Sequence, residues 1–537
     1  MNQVDAPAHA GSFDQIFVGG NVLTMHTPQR AEAVAVATGK VVAVGTEREL
    51  RSQASSFTEI VDLEGRTLLP GFEDVHAHVW KMGHLLTTSL DLRRSGSIEA
   101  IGDLVRERSA ILPQGSWLQG RGFNEISLAE RRRPTRHDLD RFAPDRPVVL
   151  TRTCGHIFVA NSVALRLAGI DSATVAPDGG VIERELDGKP NGLLHETAIG
   201  LVHRVLPPPT RADYKQMIHA ALRHQLSLGI TSSSDCGVLP NLLEAYLEMD
   251  LDGTLPARIT VMPLGRPDGS SGPLVLPSKH HSPMLRIDTV KFLADGGLSG
   301  ATAALSIPYR NSTSTGVVRF QSHELSELFA DAHRQGWRIA THAIGDAAIE
   351  QVVGLYERLG PHPSGLTHRI EHAGLPSASQ LKRMAAAGIS VATQAIFLDE
   401  LGANFLAFVP DGLGDRIYPF RDMLEAGVTV AFSSDAPVVE SDSPLAGMHA
   451  ALARRTRNGV AILPDQTISV EDGLRAYTVS AAITAGEEQS RGSIQPGRWA
   501  DFAVLSADPT AVETEAIRDI SVERTYLGGK LVYEKRT

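Results

Sequence analysis

Two histidines at the end of a short apolar run are the residues of this chain whose types and spacing most directly indicate chemistry. His76 and His78 follow the run 68–75 and are separated by one residue. Because side chains alternate between the two faces of a strand, both imidazoles point the same way. Two neutral imidazoles on one face can bind a divalent metal ion, although a lone His-x-His pair is also compatible with two buried, hydrogen-bonded core residues.

Four more residues of suitable type lie within or just after predicted strands farther along the chain. They are Lys291 in the strand 289–293, His342 at the end of 337–342, His372 at the end of 367–372, and Asp435 after 428–433. A lysine inside an apolar strand is costly unless it is paired or modified. Asp435 has the alternative role of a helix N-cap, for which aspartate is favoured.

His368 is the alternative to His372 on the same predicted strand. Four residues separate the two, so they share a face of the strand but lie about 13 Å apart along it. We prefer His372 because it lies at the strand end, and we interpret His368 as structural.

The elements that must position these residues alternate between strands and helices. The predicted strands are 68–75, 229–234, 257–264, 289–293, 337–342, 367–372, 389–394 and 428–433. Eight strands alternating with helices predict an α/β fold of the (β/α)8 TIM-barrel type, and periodicity alone leaves a doubly wound open sheet as the alternative. In a barrel the C-terminal strand ends meet at one mouth, where the candidate residues would converge.

Short β segments at both ends of the chain predict a second, smaller domain. Gly19–Leu23 is echoed by Gly528–Val532, and we predict that 1–67 and 488–537 pair into one β domain, with two unrelated β tails as the alternative. The catalytic domain then spans 68–487. The long interval 80–226 is predicted to be an insertion subdomain after the first strand.

Composition restricts the partners and the compartment. The 537 residues are 42% hydrophobic and 21% charged, which is typical of a globular protein, and the net charge of −11 without a basic block argues against nucleic acid. The absence of a membrane-length apolar run argues against a membrane partner. Two cysteines and no visible secretory signal indicate the cytoplasm. We expect a small-molecule substrate and a homodimer.

The ordered motifs resemble the amidohydrolase superfamily, specifically amidohydrolase family 3, the branch with N-substituted formamide deformylases and YtcJ-like proteins. The motifs are His76-Ala77-His78 after Pro70-Gly71-Phe72, Val-Lys291-Phe, Thr-His342-Ala-Ile-Gly-Asp, Arg-Ile-Glu-His372-Ala and Ser-Ser-Asp435-Ala-Pro. They span nearly the whole chain. The resemblance implies a metal-dependent (β/α)8 barrel, a small β-sandwich made by both termini, and an insertion after the first strand.

The resemblance also implies a set of ligands. His76, His78 and Asp435 would bind one divalent ion, expected to be Zn²⁺, and His342 with His372 would bind a second. Lys291, carbamylated, would bridge the two ions. If it is unmodified, a single-metal site is the alternative, because a lysine with a pKa of about 10.4 is protonated and cannot ligate.

A second cluster in the insertion resembles the same branch. Gly155-His156 and Asn161 lie there, and His156 and Asn161 are predicted to contact substrate. Trp80, just past the metal strand, is predicted to form a wall of the pocket. A structural histidine in a loop turn is the alternative for His156.

These residues and the resemblance together imply a metal-dependent amidohydrolase that cleaves an amide-type carbon–nitrogen bond, and the resemblance implies the N-formyl or N-acyl amine class. A divalent ion lowers the pKa of its bound water to about 7 and polarises a carbonyl. Asp435 would accept the water proton and then donate it to the leaving nitrogen. Hydrolysis of an ester, urea or cyclic imide, and a regulatory protein on the same scaffold, are the alternatives.

Overall fold

The computed structural model describes residues 13–153, 155, 157–177, 180–267, 272–362, 365 and 367–536. The chain divides into two compact units, one of Met1–Val79 with Leu222–Thr537 and the other of Trp80–Ala221. The helix Arg211–Ser227 runs across the second boundary, where the sequence predicts the end of the insertion.

Eight strands of the first unit carry the candidate site and lie in two sheets. They are β1 (Phe72–Ala77), β2 (Ile230–Val238), β3 (Arg258–Pro263), β4 (Thr289–Leu293), β5 (Arg338–Ala343), β6 (Arg369–His372), β7 (Ser390–Thr393) and β8 (Val430–Phe432). The first sheet contains β1, β2 and β3 in that order, extended by Leu285–Ile287 and His280–His281, and the second contains β4 to β8 in chain order. The eight strands pair only in parallel.

Backbone hydrogen bonds join the two sheets at both ends of this strand order. After β8, Asp435 N donates to His76 O of β1 over 2.8 Å, and after β3, Gly265 N donates to Lys291 O of β4 over 2.8 Å. The C-terminal ends of β1, β4 and β8, each with a predicted site residue, are therefore tied to neighbouring strands.

Helices follow the strands with the expected apolar spacing. Ser322–Arg334 buries Leu325, Leu328, Phe329 and Ala332, one face of an amphipathic helix. The other helices after β2 are Pro240–Leu251, Asp346–Leu359, Ala378–Ala386, Ile396–Glu400, Gly402–Phe408, Phe420–Glu425, Pro444–Ala453, Val470–Ala476 and Val479–Ala485. Among the described residues, no helix combines the length and hydropathy needed to cross a membrane.

The two ends of the chain share β structure. One sheet contains Gln15–Val18, Ala33–Ala37, Lys40–Gly45 and Glu59–Asp62; the other contains Asn21–Leu23, Arg30–Ala31, Thr67–Pro70, Phe502–Leu505, Val522–Leu527 and Lys530–Glu534. Thr67–Pro70 pairs antiparallel with Phe502–Leu505. The rings of Phe17, Phe502 and Tyr526 pack edge to face in a hydrophobic cluster with residues from both sheets.

The unit Trp80–Ala221 is built on its own six-stranded mixed sheet. The strands are Gly180–Arg184, Pro190–Glu196, Ile157–Ala160, Val148–Arg152, Leu118–Phe123 and Leu90–Asp91 in spatial order. The associated helices are Val79–Thr87, which begins at the boundary, Ile98–Ile111, Arg136–Phe142, Ser162–Leu167 and Gly200–His203. Two separate hydrophobic clusters form the core of this unit.

The prediction of one continuous strand over 68–75 is wrong. Thr67–Pro70 belongs to the sheet of the chain ends, and β1 begins only at Phe72, after Gly71. Gly71 N donates to Asp501 O, whereas Phe72 N donates to Gly229 O, so the backbone changes partners between these two residues. Hydropathy cannot reveal the break because both halves are apolar and buried.

Glycine is required at position 71, where the backbone changes partners, because Thr231 leaves no room for a side chain there. A Cβ atom there would lie 2.1 Å from Oγ1 and 2.4 Å from Cγ2 of Thr231. We predict that Gly71→Ala lowers the free energy of unfolding by about 1–3 kcal/mol, the usual cost of overpacking a core. Urea denaturation followed by circular dichroism measures this.

Gly200→Ala is the matched control, since a Cβ at Gly200 meets nothing within 4 Å. Alanine is the better helix former, so stability should be unchanged or higher by up to about 1 kcal/mol. Equal stability of the Gly71→Ala variant and the wild type would contradict the close-contact explanation.

Candidate active site

Three predicted ligands converge where β1 meets the segment after β8. Asp435 Oδ1 lies 3.4 Å from His76 Nε2 and 3.3 Å from His78 Nε2. These three side chains form a group whose ligand atoms all lie within 4.8 Å of one another. Asp435 Oδ1 is buried without a hydrogen-bond partner among the described residues.

The spacing of these atoms fits a divalent cation. Two ligand atoms that each lie about 2.1 Å from a tetrahedral ion are about 3.4 Å apart, which agrees with the 3.3 and 3.4 Å found around Asp435 Oδ1. A buried carboxylate oxygen without a hydrogen bond is costly, and a cation offers it a partner.

Each of the four predicted histidine ligands is hydrogen-bonded through one ring nitrogen. The pairs are His76 Nδ1 with Glu371 Oε2 at 2.5 Å, His78 Nδ1 with Cys236 O at 3.0 Å, His372 Nδ1 with Gln394 Oε1 at 2.7 Å, and His342 Nε2 with Gly296 O at 3.0 Å. These oxygens only accept, so the bonded nitrogen carries the proton and the other nitrogen keeps a lone pair. Metal-binding histidines have this pattern.

Burial keeps the imidazoles in the form that can ligate. Burial lowers the pKa of His76, with the Lys291 charge acting in the same direction, and lowers the pKa of His372 well below its ordinary value. Both rings are therefore neutral near pH 7. The His372 ring centroid lies 4.7 Å from that of His76 and 4.4 Å from that of His342, so the three rings form one cluster.

Glu371 holds His76 in place and is itself held by Arg369. Arg369 Nε donates to Glu371 Oε1 over 2.5 Å, and its Nη2 donates to Val75 O over 2.7 Å. Burial alone would raise the pKa of Glu371, but the charges of Arg369 and Lys291 and the hydrogen bond from His76 outweigh burial and hold the pKa well below its ordinary value. The ionised carboxylate orients the ring so that Nε2 faces Asp435.

Lys291 is a buried amine in the middle of β4. Its side chain is 3% exposed, and Nζ has no hydrogen-bond partner among the described residues. Burial lowers the pKa of Lys291, against the opposing charge of Glu371. A larger fraction of the amine is therefore neutral than in water.

Two predicted ligands have backbone conformations that are rare outside glycine. His372 has φ +72° and Asp435 has φ +57°. Residues other than glycine pay a steric cost in this left-handed region, and such residues cluster at functional sites. Both turns direct a side chain from a strand end towards the histidine cluster.

The neighbouring histidines determine the ionisation of Asp435. Burial would raise the pKa of this carboxyl, but the adjacent imidazoles of His76, His78 and His372 outweigh burial and hold the pKa far below its ordinary value. Asp435 is therefore an anion near neutral pH, as a ligand or a proton acceptor must be.

The residues predicted for substrate contact have different placements. Asn161 is fully buried, accepts from Val148 N and Ala164 N, and donates to Ala143 O and Arg146 O. It caps the helix Ser162–Leu167, so the prediction that it binds substrate has no support here: all its hydrogen-bonding capacity is used inside its own unit.

The other two substrate predictions are not decided by this geometry. His156 lies outside the described residues. Trp80 belongs to the unit Trp80–Ala221, where its ring packs edge to face against Tyr214 with centroids 5.8 Å apart. His368 precedes β6, pairs with His333 Nδ1 at 3.0 Å and accepts from Ile339 N, which matches its structural interpretation.

Sequence reasoning missed the residues that orient the ligands. It placed Glu371 on the sixth strand without a role, and it gave none to Arg369, Gln394 or Asp74. Asp74 accepts from Ser434 Oγ over 2.5 Å and from His76 N over 3.2 Å. Gln394, just after β7, was detectable as a polar strand end, whereas the pairing of Arg369 with Glu371 has no sequence signal.

Comparisons with known proteins match nearly the whole chain. The model of the amidohydrolase family matches residues 59–533. The YtcJ protein of Bacillus subtilis (strain 168) is 33% identical over 535 residues, which cover 97% of this chain and 99% of that protein. The N-substituted formamide deformylase of Arthrobacter pascens is 31% identical over 545 residues, with 97% and 98% covered.

A solved structure is also similar. An uncharacterized metal-dependent hydrolase from Pyrococcus horikoshii OT3 is 26% identical, covers 93% of this chain and 99% of its own, and has a TM-score of 0.77. At this level of similarity the two chains share their fold.

The buried pair of Arg369 and Glu371 generates a stability prediction. Arg369→Leu leaves a buried carboxylate without its cation, and we expect a loss of about 3–5 kcal/mol in the free energy of unfolding at pH 7. The folded-state pKa of Glu371 is depressed. Its contribution is therefore present above the unfolded pKa of about 4.3 and is lost as pH falls further. Urea denaturation at several pH values measures both effects.

Arg383→Leu is the control. Arg383 makes comparable ion pairs with Glu350 and Glu357, but its side chain is 32% exposed. Exposed pairs contribute about 0–1 kcal/mol, so this variant should change little. A similarly small change in the free energy of unfolding of both variants would contradict a stabilising role for the pair of Arg369 with Glu371.

Proposed function

Because the chain belongs to the amidohydrolase family, as its motifs predict, and is an enzyme that hydrolyses carbon–nitrogen bonds, we propose that it cleaves an amide-type bond of a small molecule by means of a metal-activated water. The observation that carries this proposal is the pair of distances from Asp435 Oδ1 to Nε2 of His76 and of His78, 3.4 and 3.3 Å. They match the spacing of two ligand atoms on a tetrahedral ion. The similarity to an N-substituted formamide deformylase supports the N-formyl or N-acyl amine class.

The same proposal includes the finer architecture. The two parallel sheets would be halves of one (β/α)8 barrel, which the hydrogen bonds at both seams support. The two sheets at the chain ends would form a β-sandwich over 1–67 and 488–537, supported by their shared hydrophobic cluster. The barrel would span 68–487, with the insertion 80–226 after β1.

Zn²⁺ is the proposed ion, held by His76, His78 and Asp435. When bound, such an ion lowers the pKa of a water to about 7 and polarises the substrate carbonyl. The lone-pair nitrogens of His342 and His372 lie on rings 4.4 Å apart and are the proposed ligands of a second ion. Imidazole and carboxylate donors suit zinc in both positions.

Lys291 is proposed to be carbamylated and to bridge the two ions. The lone pair of a neutral Nζ attacks the carbon of carbon dioxide, the N–C bond forms, one C=O bond opens to a carboxylate, and the displaced proton goes to solvent. The unpartnered Nζ and the lowered pKa of Lys291 support this reaction. An unmodified lysine with a single ion is the alternative.

Asp435 is proposed to move the proton. Its carboxylate is ionised near neutral pH, so it can accept a proton from the attacking water and return it to the leaving nitrogen. Glu371 meanwhile keeps the His76 ring fixed through Nδ1. The products are a carboxylate and an amine.

The setting of the enzyme is proposed from the sequence. A small-molecule substrate and a cytoplasmic location agree with the charge of −11 and with only two cysteines in 537 residues. Homodimer formation stays a prediction, which analytical ultracentrifugation measures.

The central experiment combines metal analysis with a substrate screen. We expect the purified protein to contain zinc, to lose activity on chelation and to recover it on adding Zn²⁺, with turnover of N-formyl or N-acyl amines. Asp435→Asn should lower kcat on the order of 10²–10⁴-fold, the usual contribution of a general acid–base group. Asp415→Asn, at an exposed side chain, is the control and should leave kcat unchanged.

Two outcomes would redirect this proposal. Full activity after complete metal removal would rule out the metal-activated water. Turnover of esters with no turnover of any amide in the screen would replace the substrate class.

Lys291→Met tests the bridging role. Loss of a bridging ligand should lower metal content and reduce kcat on the order of 10²-fold or more, at least the effect of losing a group that only supports a ligand. Lys382→Met, at an exposed lysine, is the control. Partial rescue of a Lys291→Ala variant by added short carboxylates would support the carbamate. Unchanged metal content and activity in Lys291→Met would contradict any ligand role.

A further inference from the structure

The hydroxyl of Tyr418 is a buried donor that is not bonded to any residue described in the structure. Tyr418 is 0% exposed, and its Oη has no hydrogen-bond partner among the described residues. Two other buried tyrosines have hydrogen-bond partners: Tyr246 Oη donates to Asp235 Oδ2, and Tyr309 Oη donates to Ala303 O. Because an unpaired buried hydroxyl lowers stability, the unpaired hydroxyl of Tyr418 requires an explanation.

The ring of Tyr418 lies beside the end of β6. A Cβ atom built on Gly374, two residues after His372, would lie 3.5 Å from Cζ of Tyr418, and Tyr418 N donates to Gly374 O over 2.8 Å. The Tyr418 ring also packs edge to face against Phe397, whose ring stacks parallel to that of His372. The phenol is therefore one aromatic layer from a proposed metal ligand.

One of the carboxylates near the Tyr418 hydroxyl belongs to Asp435 of the candidate active site. Burial raises the pKa of Tyr418, and the carboxylates of Asp435 and Asp295 raise it further. The phenol therefore stays protonated at neutral pH and remains a hydrogen-bond donor. It also lies within electrostatic reach of Asp435, the residue proposed to move the proton.

The backbone of Tyr418 is held in an unfavourable conformation by dedicated contacts. Its φ is +45°, in the left-handed region that bulky residues rarely adopt. The fully buried Arg454 donates through Nη1 to Tyr418 O over 3.0 Å and through Nη2 to Ile417 O over 3.0 Å. Strain of this kind persists only where surrounding structure enforces it, and it is concentrated at functional sites.

We propose that Tyr418 Oη donates a hydrogen bond to the carbonyl oxygen of the substrate and stabilises the negative charge that develops on it during attack by water. This role rests on the proposed amide hydrolysis. It adds a protein donor to the site that comes from the segment before the helix Phe420–Glu425, outside every motif of the sequence. A preorganised donor acts most strongly on charge that appears only in the transition state.

Tyr418→Phe removes only the hydroxyl and is the test. We expect kcat for an N-formyl amine to fall on the order of 10²-fold, the effect of losing one such donor, with KM changed much less and zinc content unchanged. The melting temperature of the substrate-free protein should be equal or higher, because the variant removes an unpaired buried polar atom.

Tyr356→Phe is the matched control. Tyr356 Oη is also buried, but it is bonded to Thr341 Oγ1 at 2.7 Å and lies within 3.2 Å of two backbone carbonyl oxygens. This variant should lower the melting temperature and leave kcat unchanged. Loss of the Tyr418 hydroxyl is thus expected to lower kcat without lowering stability. Loss of the Tyr356 hydroxyl is expected to lower stability without lowering kcat.

The outcomes distinguish this inference from the proposed function. A wild-type enzyme that turns over amides, together with a Tyr418→Phe variant within about twofold of it, overturns the role of Tyr418 alone. A lower melting temperature or loss of zinc in Tyr418→Phe also overturns it, because the hydroxyl would then serve the fold. A wild-type enzyme without amide turnover instead contradicts the proposed function.

Discussion

The candidate centre depends on one buried charge pair, the contact of Arg369 with Glu371. Both side chains are almost completely excluded from water, and each is expensive to bury alone. The paired carboxylate also accepts from His76 Nδ1 through Oε2, which sets the tautomer and orientation of that ring. The guanidinium also reaches Val75 O, so the same pair ties β6 to β1. Arg369 and Glu371 therefore both orient the His76 ring and link β6 to β1.

Three residues proposed to act in the reaction each have a buried polar atom without a hydrogen-bond partner among the described residues. The atoms are Lys291 Nζ, Asp435 Oδ1 and Tyr418 Oη. Each unpaired atom lowers the stability of the free protein, and each has a proposed partner in the working enzyme. Lys291 would form a carbamate, Asp435 would bind a cation, and Tyr418 would donate to a substrate oxygen. The left-handed backbones of His372, Asp435 and Tyr418 add to that cost. Residues that combine strained backbones with unpaired buried polar atoms, as Asp435 and Tyr418 do, are expected at active sites rather than in packed cores.

Much of the fold could be predicted because its signals are local. Hydrophobic periodicity and turn residues place β4 at 289–293 with the bounds observed, and most of the other predicted strands within a few residues. The strand over 68–75 failed because the change of sheet at Gly71 depends on Asp501 and Gly229, which are distant in sequence. The substrate role predicted for Asn161 stays a prediction without structural support, because its local motif does not reveal that its side chain is bonded within its own unit and caps a helix.

The sequence by itself determined the types and order of the candidate ligands: histidines, a lysine and an aspartate within or just after strands, in motifs specific enough to identify the family. Strand alternation makes such positions readable without coordinates. Only the tertiary structure decided which ring nitrogen is bonded, that Glu371 rather than a predicted residue orients His76, and that Tyr418 carries an unused hydroxyl. Those features arise from contacts between residues tens to hundreds of positions apart, and no local pattern encodes the distance or direction of such a contact.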